Sequence, residues 1–122
     1  MLSAVGSLSR LFSESTQPYI AYRVAENLFC KAFEARNLSR GDTSADASKE
    51  DLGFGIKTFL YKNGQTFEKG AEFNKDHHLF NDLPPDQKAF RVAELRNERI
   101  EATKRIAGIG DLVYHCVTRG EN

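Results

Sequence analysis

The residues that decide the fold are 52–62, LGFGIKTFLYK, and the Asn63-Gly64 pair that follows them. In this stretch one set of alternating positions is more apolar than the other, which is typical of a β-strand with one face against a core. Asn-Gly favours the tight turn of a β-hairpin, because both residues tolerate a positive φ. We therefore predict a strand over 52–62 and a second strand that returns antiparallel to it over 65–73.

Two helices flank this hairpin along the chain. Between residues 18 and 36 the apolar residues recur every three or four positions, which predicts an amphipathic helix. Residues 86–107 are rich in good helix formers, and Gly108 is a suitable residue to end a helix.

Two further strands complete the pattern. The polar segment before the hairpin predicts a very short strand near residues 43–47, and β-branched and aromatic residues predict a last strand over 111–118. The elements predict an α/β fold with a mixed sheet flanked by helices, in one domain over residues 17–122 after a lead-in segment over 1–16. A central strand this near residue 122 would also suit a piece of a longer protein, and both interpretations stay open.

Composition excludes several classes of protein. The 122 residues carry 17 Lys and Arg against 17 Asp and Glu, a balance that argues against a polybasic nucleic-acid binder. No apolar run approaches the roughly 20 residues of a membrane-spanning helix. Cys30 and Cys116 form no CxxC pair, and His77-His78 has no further ligand at zinc spacing, so we expect a cytoplasmic protein with reduced thiols.

Three acidic residues and one lysine lie where they could meet beside the predicted sheet. Glu26 is on the first helix, Asp46 precedes the hairpin, Lys57 is inside the first long strand and Glu72 ends the return strand. A lysine in a half-buried strand loses hydration unless an anion lies nearby. Carboxylates bind Mg²⁺, and a nearby lysine helps to deprotonate or orient an attacking water. These residues therefore suggest a metal-dependent hydrolytic site.

The order of elements and the segment GFGIKTF, residues 53–59, resemble the PD-(D/E)XK nuclease superfamily, which includes many type II restriction endonucleases. The resemblance implies an αβββαβ restriction-endonuclease-like core and a Mg²⁺-dependent endonuclease that hydrolyses double-stranded DNA, with a homodimer as its implied assembly. Asp46 resembles the metal-binding aspartate, Lys57 the motif lysine and Glu26 the glutamate often found on the first helix. The implied metal positions are Asp46, Glu72 and Ile56.

One position departs from the family pattern. Two residues before the lysine, where the family has Asp or Glu, the sequence has Gly55. Glu72 or Glu68 on the neighbouring strand could replace the missing carboxylate. Otherwise the assignment of Lys57 is wrong or the site is inactive.

Each site residue has a structural alternative. Asp46 could cap a turn, Lys57 could point to solvent from an exposed sheet face, and Glu72 could form a surface ion pair across the hairpin. Glu26 could be an ordinary solvent-exposed helix residue. Two alternative functions therefore stay open: a non-enzymatic protein-interaction domain, and a degenerate nuclease fold that binds DNA without cleaving it.

Arg96 and Arg99 are the candidate nucleic-acid contacts. Both fall within the apolar arc of the second long helix rather than opposite it, so they could extend past the core edge to DNA phosphates. In the alternative, their aliphatic stems pack against the core and their guanidinium groups pair with an acidic residue.

Overall fold

The computed structural model describes residues 1–11, 14, 19–60 and 71–120. Within them the chain is an α/β protein whose helices surround a four-stranded mixed sheet. The α-helices are α1 (Leu2–Leu8), α2 (Tyr22–Phe33) and α3 (Pro85–Ala107), and 3₁₀ helices cover Ser9–Leu11 and Ala71–Leu79. The strands are β1 (Arg36–Asn37), β2 (Ala47–Lys49), β3 (Leu52–Leu60) and β4 (Asp111–Arg119). None of these helices is long and apolar enough to cross a membrane.

The strand β3 organises the sheet, whose strands lie in the order β1-β2-β3-β4. On one side β3 pairs antiparallel with β2, but only through its first residues, and the last pair is Ala47 with Phe54. On the other side it pairs parallel with β4 from Leu52 to Leu60. Because β2 ends so early, the β2 side of β3 from Gly55 onward has no strand partner among the described residues.

The main core lies between α2 and the sheet. Phe29 of α2 is 6% exposed, and its ring packs against Phe54 of β3 and His115 of β4. Tyr114, the neighbour of His115, instead contacts Arg96 of α3. Successive residues of a strand point to opposite faces, so α2 and α3 flank the sheet on its two sides, as predicted.

The long elements agree closely with the sequence-based predictions. The strand expected over 52–62 is β3, and the strand expected over 111–118 is β4. The helix predicted over 86–107 is α3, which ends at Gly108, a residue in the left-handed conformation with a φ of 65°. The helix predicted over 18–36 is α2, which is shorter than predicted, since it begins at Tyr22 and ends where Glu34 takes a φ of 53°.

The prediction of a return strand for the hairpin is wrong at residues 71–73, the part of it that the structure describes. Residues 71–73 open the 3₁₀ helix Ala71–Leu79, while the Asn63-Gly64 turn and residues 65–70 lie outside the described residues. In the sequence AEFNKDHHL the alternation of apolar and polar positions stops at Asn74, which is too short to give a strand a buried face. Buried Phe73 anchors this helix instead.

The short strands also differ from the prediction. The strand expected near 43–47 lies at Ala47–Lys49, and the two-residue strand Arg36–Asn37 that pairs with it was not predicted. A tight turn at Glu50, which has a φ of 52°, joins β2 to β3 and so determines where β2 lies. Strands this short have too few residues for a periodic pattern.

The position of Phe29 leads to a test of this core. Replacing Phe29 with Ala should lower the free energy of unfolding by about 3–5 kcal/mol, because it removes a buried ring and leaves a cavity. Urea denaturation would measure the change. Phe90→Ala is the matched control, since Phe90 is 69% exposed on α3 and its loss should change stability by less than about 0.5 kcal/mol. Equal effects of the two substitutions would contradict the packing described here.

Candidate functional site

An open cleft lies where β2 separates from β3. Its walls come from the first turns of α2, from the segment before β2 and from the middle of β3. The lining residues are Tyr22, Arg23, Glu26, Ser39, Asp46, Ile56, Lys57 and Thr58.

Asp46 is held at the edge of β3 by hydrogen bonds. Its N–H donates to the Phe54 carbonyl oxygen over 2.8 Å, and its own carbonyl accepts from the Leu38 N–H, also over 2.8 Å. Its carboxylate Oδ2 accepts the Ile56 N–H over 2.7 Å. The Asp46 side chain therefore continues the hydrogen bonding of β3 one step beyond the end of β2, and the predicted metal ligand lies beside Ile56.

Glu26 is buried, with 4% of the residue exposed, so the alternative of an ordinary surface glutamate is wrong. Burial raises the pKa of its carboxyl group, and the negative charge of Asp46 raises that pKa further. A hydrogen bond from Ser39 and the charge and hydrogen bond of Arg23 act in the opposite direction on the pKa. Asp46 thus lies close enough to oppose the ionisation of Glu26.

Lys57 lines the same cleft from β3, so residues of α2, of the segment before β2 and of β3 share it. Its ammonium Nζ lies 5.9 Å from the centroid of the Tyr114 ring. Glu72 belongs to the 3₁₀ helix Ala71–Leu79 rather than to a strand, and its side chain lies outside the described residues, as does all of Glu68.

The ring of Tyr114 explains why the position two residues before Lys57 is a glycine. A Cβ atom built on Gly55 would lie 2.6 and 2.8 Å from two carbon atoms of that ring, closer than van der Waals contact allows. An Asp or Glu side chain therefore has no room at position 55 while Tyr114 keeps its place. The departure from the family pattern has a steric basis that involves a strand far along the chain.

Arg96 and Arg99 are not among the residues that line the cleft. Arg96 donates a hydrogen bond to the Tyr114 hydroxyl, and its guanidinium carbon lies 5.0 Å from the Tyr114 ring centroid. Arg99 Nη2 lies 3.5 Å from Oδ1 of Asp42. Arg99 therefore pairs with an acidic residue, as the packing alternative expects, whereas Arg96 contacts a tyrosine.

Arg23 is a cleft residue that the sequence analysis missed. Its Nη1 lies 3.3 Å from Glu26 Oε2 and donates to the Ser39 carbonyl over 2.7 Å. The signal was present in the sequence, since residues three apart on a helix are neighbours and Arg23 precedes Glu26 by three. This spacing pointed to a residue of the cleft only after the structure showed that Glu26 is buried.

Two carboxylates, those of Glu26 and Asp46, line this cleft. No group of three or more His, Cys, Asp or Glu that could hold a metal ion occurs among the residues that the structure describes. Mg²⁺, however, is commonly bound by one or two carboxylates together with waters and substrate phosphates. Glu26 and Asp46 therefore suit Mg²⁺ better than a metal that needs a full cage of protein ligands.

No protein-family model, curated protein or solved structure matches the chain. The assignment of a function therefore rests on the residues of the cleft.

The raised pKa of Glu26 predicts a pH-dependent stability. Between its unfolded pKa near 4.5 and its higher folded pKa, the folded state binds more protons than the unfolded state, so stability falls as pH rises through this window. Glu26→Gln should therefore raise the melting temperature by a few degrees at pH 7.5 and have little effect below pH 4. Thermal melts across this pH range would measure the effect, with the exposed Glu98→Gln as the control. A lower melting temperature of Glu26→Gln at pH 7.5 would refute the prediction.

The contact between Gly55 and Tyr114 predicts a steric coupling. Gly55→Ala should cost about 1–3 kcal/mol, because the new methyl group overlaps the ring. The same substitution in a Tyr114→Ala background should cost much less, since the ring is gone. Gly120→Ala is the control, because a Cβ at Gly120 meets nothing within 4 Å. Denaturant unfolding of the four proteins of this cycle would measure the coupling, and additive effects would show that Tyr114 does not occupy the space.

Proposed function

We propose that the protein is a Mg²⁺-dependent endonuclease that hydrolyses phosphodiester bonds of double-stranded DNA. One observation carries the proposal: Glu26 of α2, Asp46 before β2 and Lys57 of β3 line a single cleft. Two carboxylates and a lysine around an open cleft are the groups that metal-assisted phosphodiester hydrolysis uses. They are also the residues on which the resemblance to the PD-(D/E)XK superfamily rests.

The order of elements supports the same assignment. From α2 onward the order is α2, β1, β2, β3, α3, β4, which is the αβββαβ order of the restriction-endonuclease-like core. The central strand β3 is antiparallel to β2 and parallel to β4. We propose that this part of the chain has that fold. The three strands between the two helices are β1, β2 and β3, because residues 71–73 of the predicted return strand are helical and the unpredicted strand β1 brings the number to three.

In this proposal the residues of the cleft have different roles in hydrolysis. Glu26 and Asp46 would hold Mg²⁺ through their carboxylates and Ile56 through its backbone, with Glu72 as a further carboxylate. When bound, Mg²⁺ stabilises the negative charge that develops on the phosphate oxygens. Lys57 would orient the attacking water and add positive charge near the phosphate. The reaction joins the water oxygen to phosphorus and breaks one backbone phosphorus–oxygen bond.

The cellular setting and assembly are part of the proposal. Cys30 and Cys116 are free thiols, which suits a reducing cytoplasm. A homodimer would place two such clefts on the two strands of duplex DNA.

A second candidate function follows from Gly55. A degenerate nuclease fold that binds DNA without cleaving it would not need the motif carboxylate, and the Tyr114 ring leaves no room for one. A non-enzymatic protein-interaction domain would need neither DNA nor metal. These candidates differ in two measurable properties, DNA binding and Mg²⁺-dependent cleavage.

The experiment is plasmid cleavage by the purified full chain with and without Mg²⁺. Asp46→Asn and Lys57→Ala should each lower the cleavage rate by about 100-fold or more, as expected for groups that stabilise a developing charge. Asp42→Asn and Lys49→Ala are matched controls, since both residues are exposed and do not line the cleft. Thermal melts should also show that Mg²⁺ stabilises the wild type and not Asp46→Asn.

Each outcome points to one candidate. DNA binding without cleavage by the wild type would favour the degenerate nuclease. Neither DNA binding nor cleavage would favour the protein-interaction domain. Wild-type rates for Asp46→Asn and Lys57→Ala would show that the cleft is not the site of hydrolysis.

A further inference from the structure

Arg23 lies at the mouth of the cleft with only part of its guanidinium group engaged. The side chain is 51% exposed. Its contacts to the Ser39 carbonyl and to Glu26 both use Nη1, over 2.7 and 3.3 Å respectively. Among the described residues, Nε and Nη2 of Arg23 take part in no hydrogen bond. The guanidinium group is therefore anchored at one corner and still has N–H donors for a ligand.

The shorter of the two Nη1 contacts of Arg23 is its hydrogen bond to the Ser39 carbonyl. The bond to Ser39 is short and directed, whereas the contact to Glu26 is near the upper limit for a hydrogen bond. Because the Ser39 contact does not involve Glu26, a cation that binds the Glu26 carboxylate would leave this anchor of Arg23 in place. The neighbouring Tyr22 ring, 5.3 Å from the guanidinium carbon, supports it from another side.

We propose that Arg23 contacts a backbone phosphate of the nucleic acid beside the scissile bond. The inference rests on the proposed function and adds the residue that holds the substrate. A guanidinium group suits this task because its planar set of donors can pair with two phosphate oxygens at once. Arg23 lines the cleft with Glu26, Asp46 and Lys57, whereas Arg96 and Arg99, the arginines first expected to contact DNA, do not.

DNA binding measured over a range of salt concentrations tests the inference. A short duplex and the full chain in EDTA would give binding without cleavage. Arg23→Ala should weaken the affinity about tenfold and reduce the slope of log affinity against log salt by about one, because one phosphate contact is lost. Arg23→Lys should keep the slope, since the charge remains, and lose part of the affinity. Lys31→Ala, an exposed change two turns further along α2, should alter neither quantity.

The outcomes separate this inference from the proposed function. Unchanged affinity and slope in Arg23→Ala, together with cleavage that still depends on Asp46, would overturn the role of Arg23 and leave the nuclease assignment standing. A wild-type chain that neither binds nor cleaves DNA would overturn both. If Arg23→Ala does not fold, Arg23→Lys decides, because unchanged affinity in that variant would contradict paired contacts to phosphate.

Discussion

The hydrogen bond from the Ile56 N–H to the Asp46 carboxylate is the interaction on which the organisation of this molecule depends. It lies at the point where β2 stops pairing with β3, and it satisfies a strand N–H that would otherwise have no partner there. The remaining residues of β3 keep their pairing with β4 and present their other edge to the cleft. A short antiparallel partner on one side and a long parallel partner on the other thus create an opening in the sheet, and a carboxylate is held inside it.

The electrostatics of the cleft disfavour the ionised form of Glu26. Glu26 is buried and lies near Asp46, and both burial and the Asp46 charge raise the pKa of the Glu26 carboxyl group. Arg23 offsets part of this repulsion from the mouth of the cleft. A protein gains no stability from such an arrangement, and a local cost of this kind is common at functional sites. These charges are the basis on which we propose a metal ion at the carboxylates and a phosphate at the basic groups of the cleft.

The sequence predicted the long elements because each carries its own periodic pattern. The alternation in β3 and the three-to-four spacing in α2 are local properties, and burial of the apolar face follows from them. The hairpin beyond β3 failed as a prediction at residues 71–73, because a turn signal says nothing about whether the segment after it has a face to bury. For the site, the sequence analysis named Glu26, Asp46 and Lys57, which line one cleft in the structure, and Glu72, whose side chain lies outside the described residues.

What the sequence determined by itself is therefore the two long helices α2 and α3 and the two long strands β3 and β4, and it named three polar candidate residues near β3. Only the tertiary structure decided that Glu26 is buried, that Arg23 shares its cleft, and that Gly55 faces the Tyr114 ring. The physical reason is the range of the interactions involved. Periodicity acts over neighbouring residues, whereas the space around Gly55 depends on a residue in another strand that reaches it through the parallel pairing of β3 with β4.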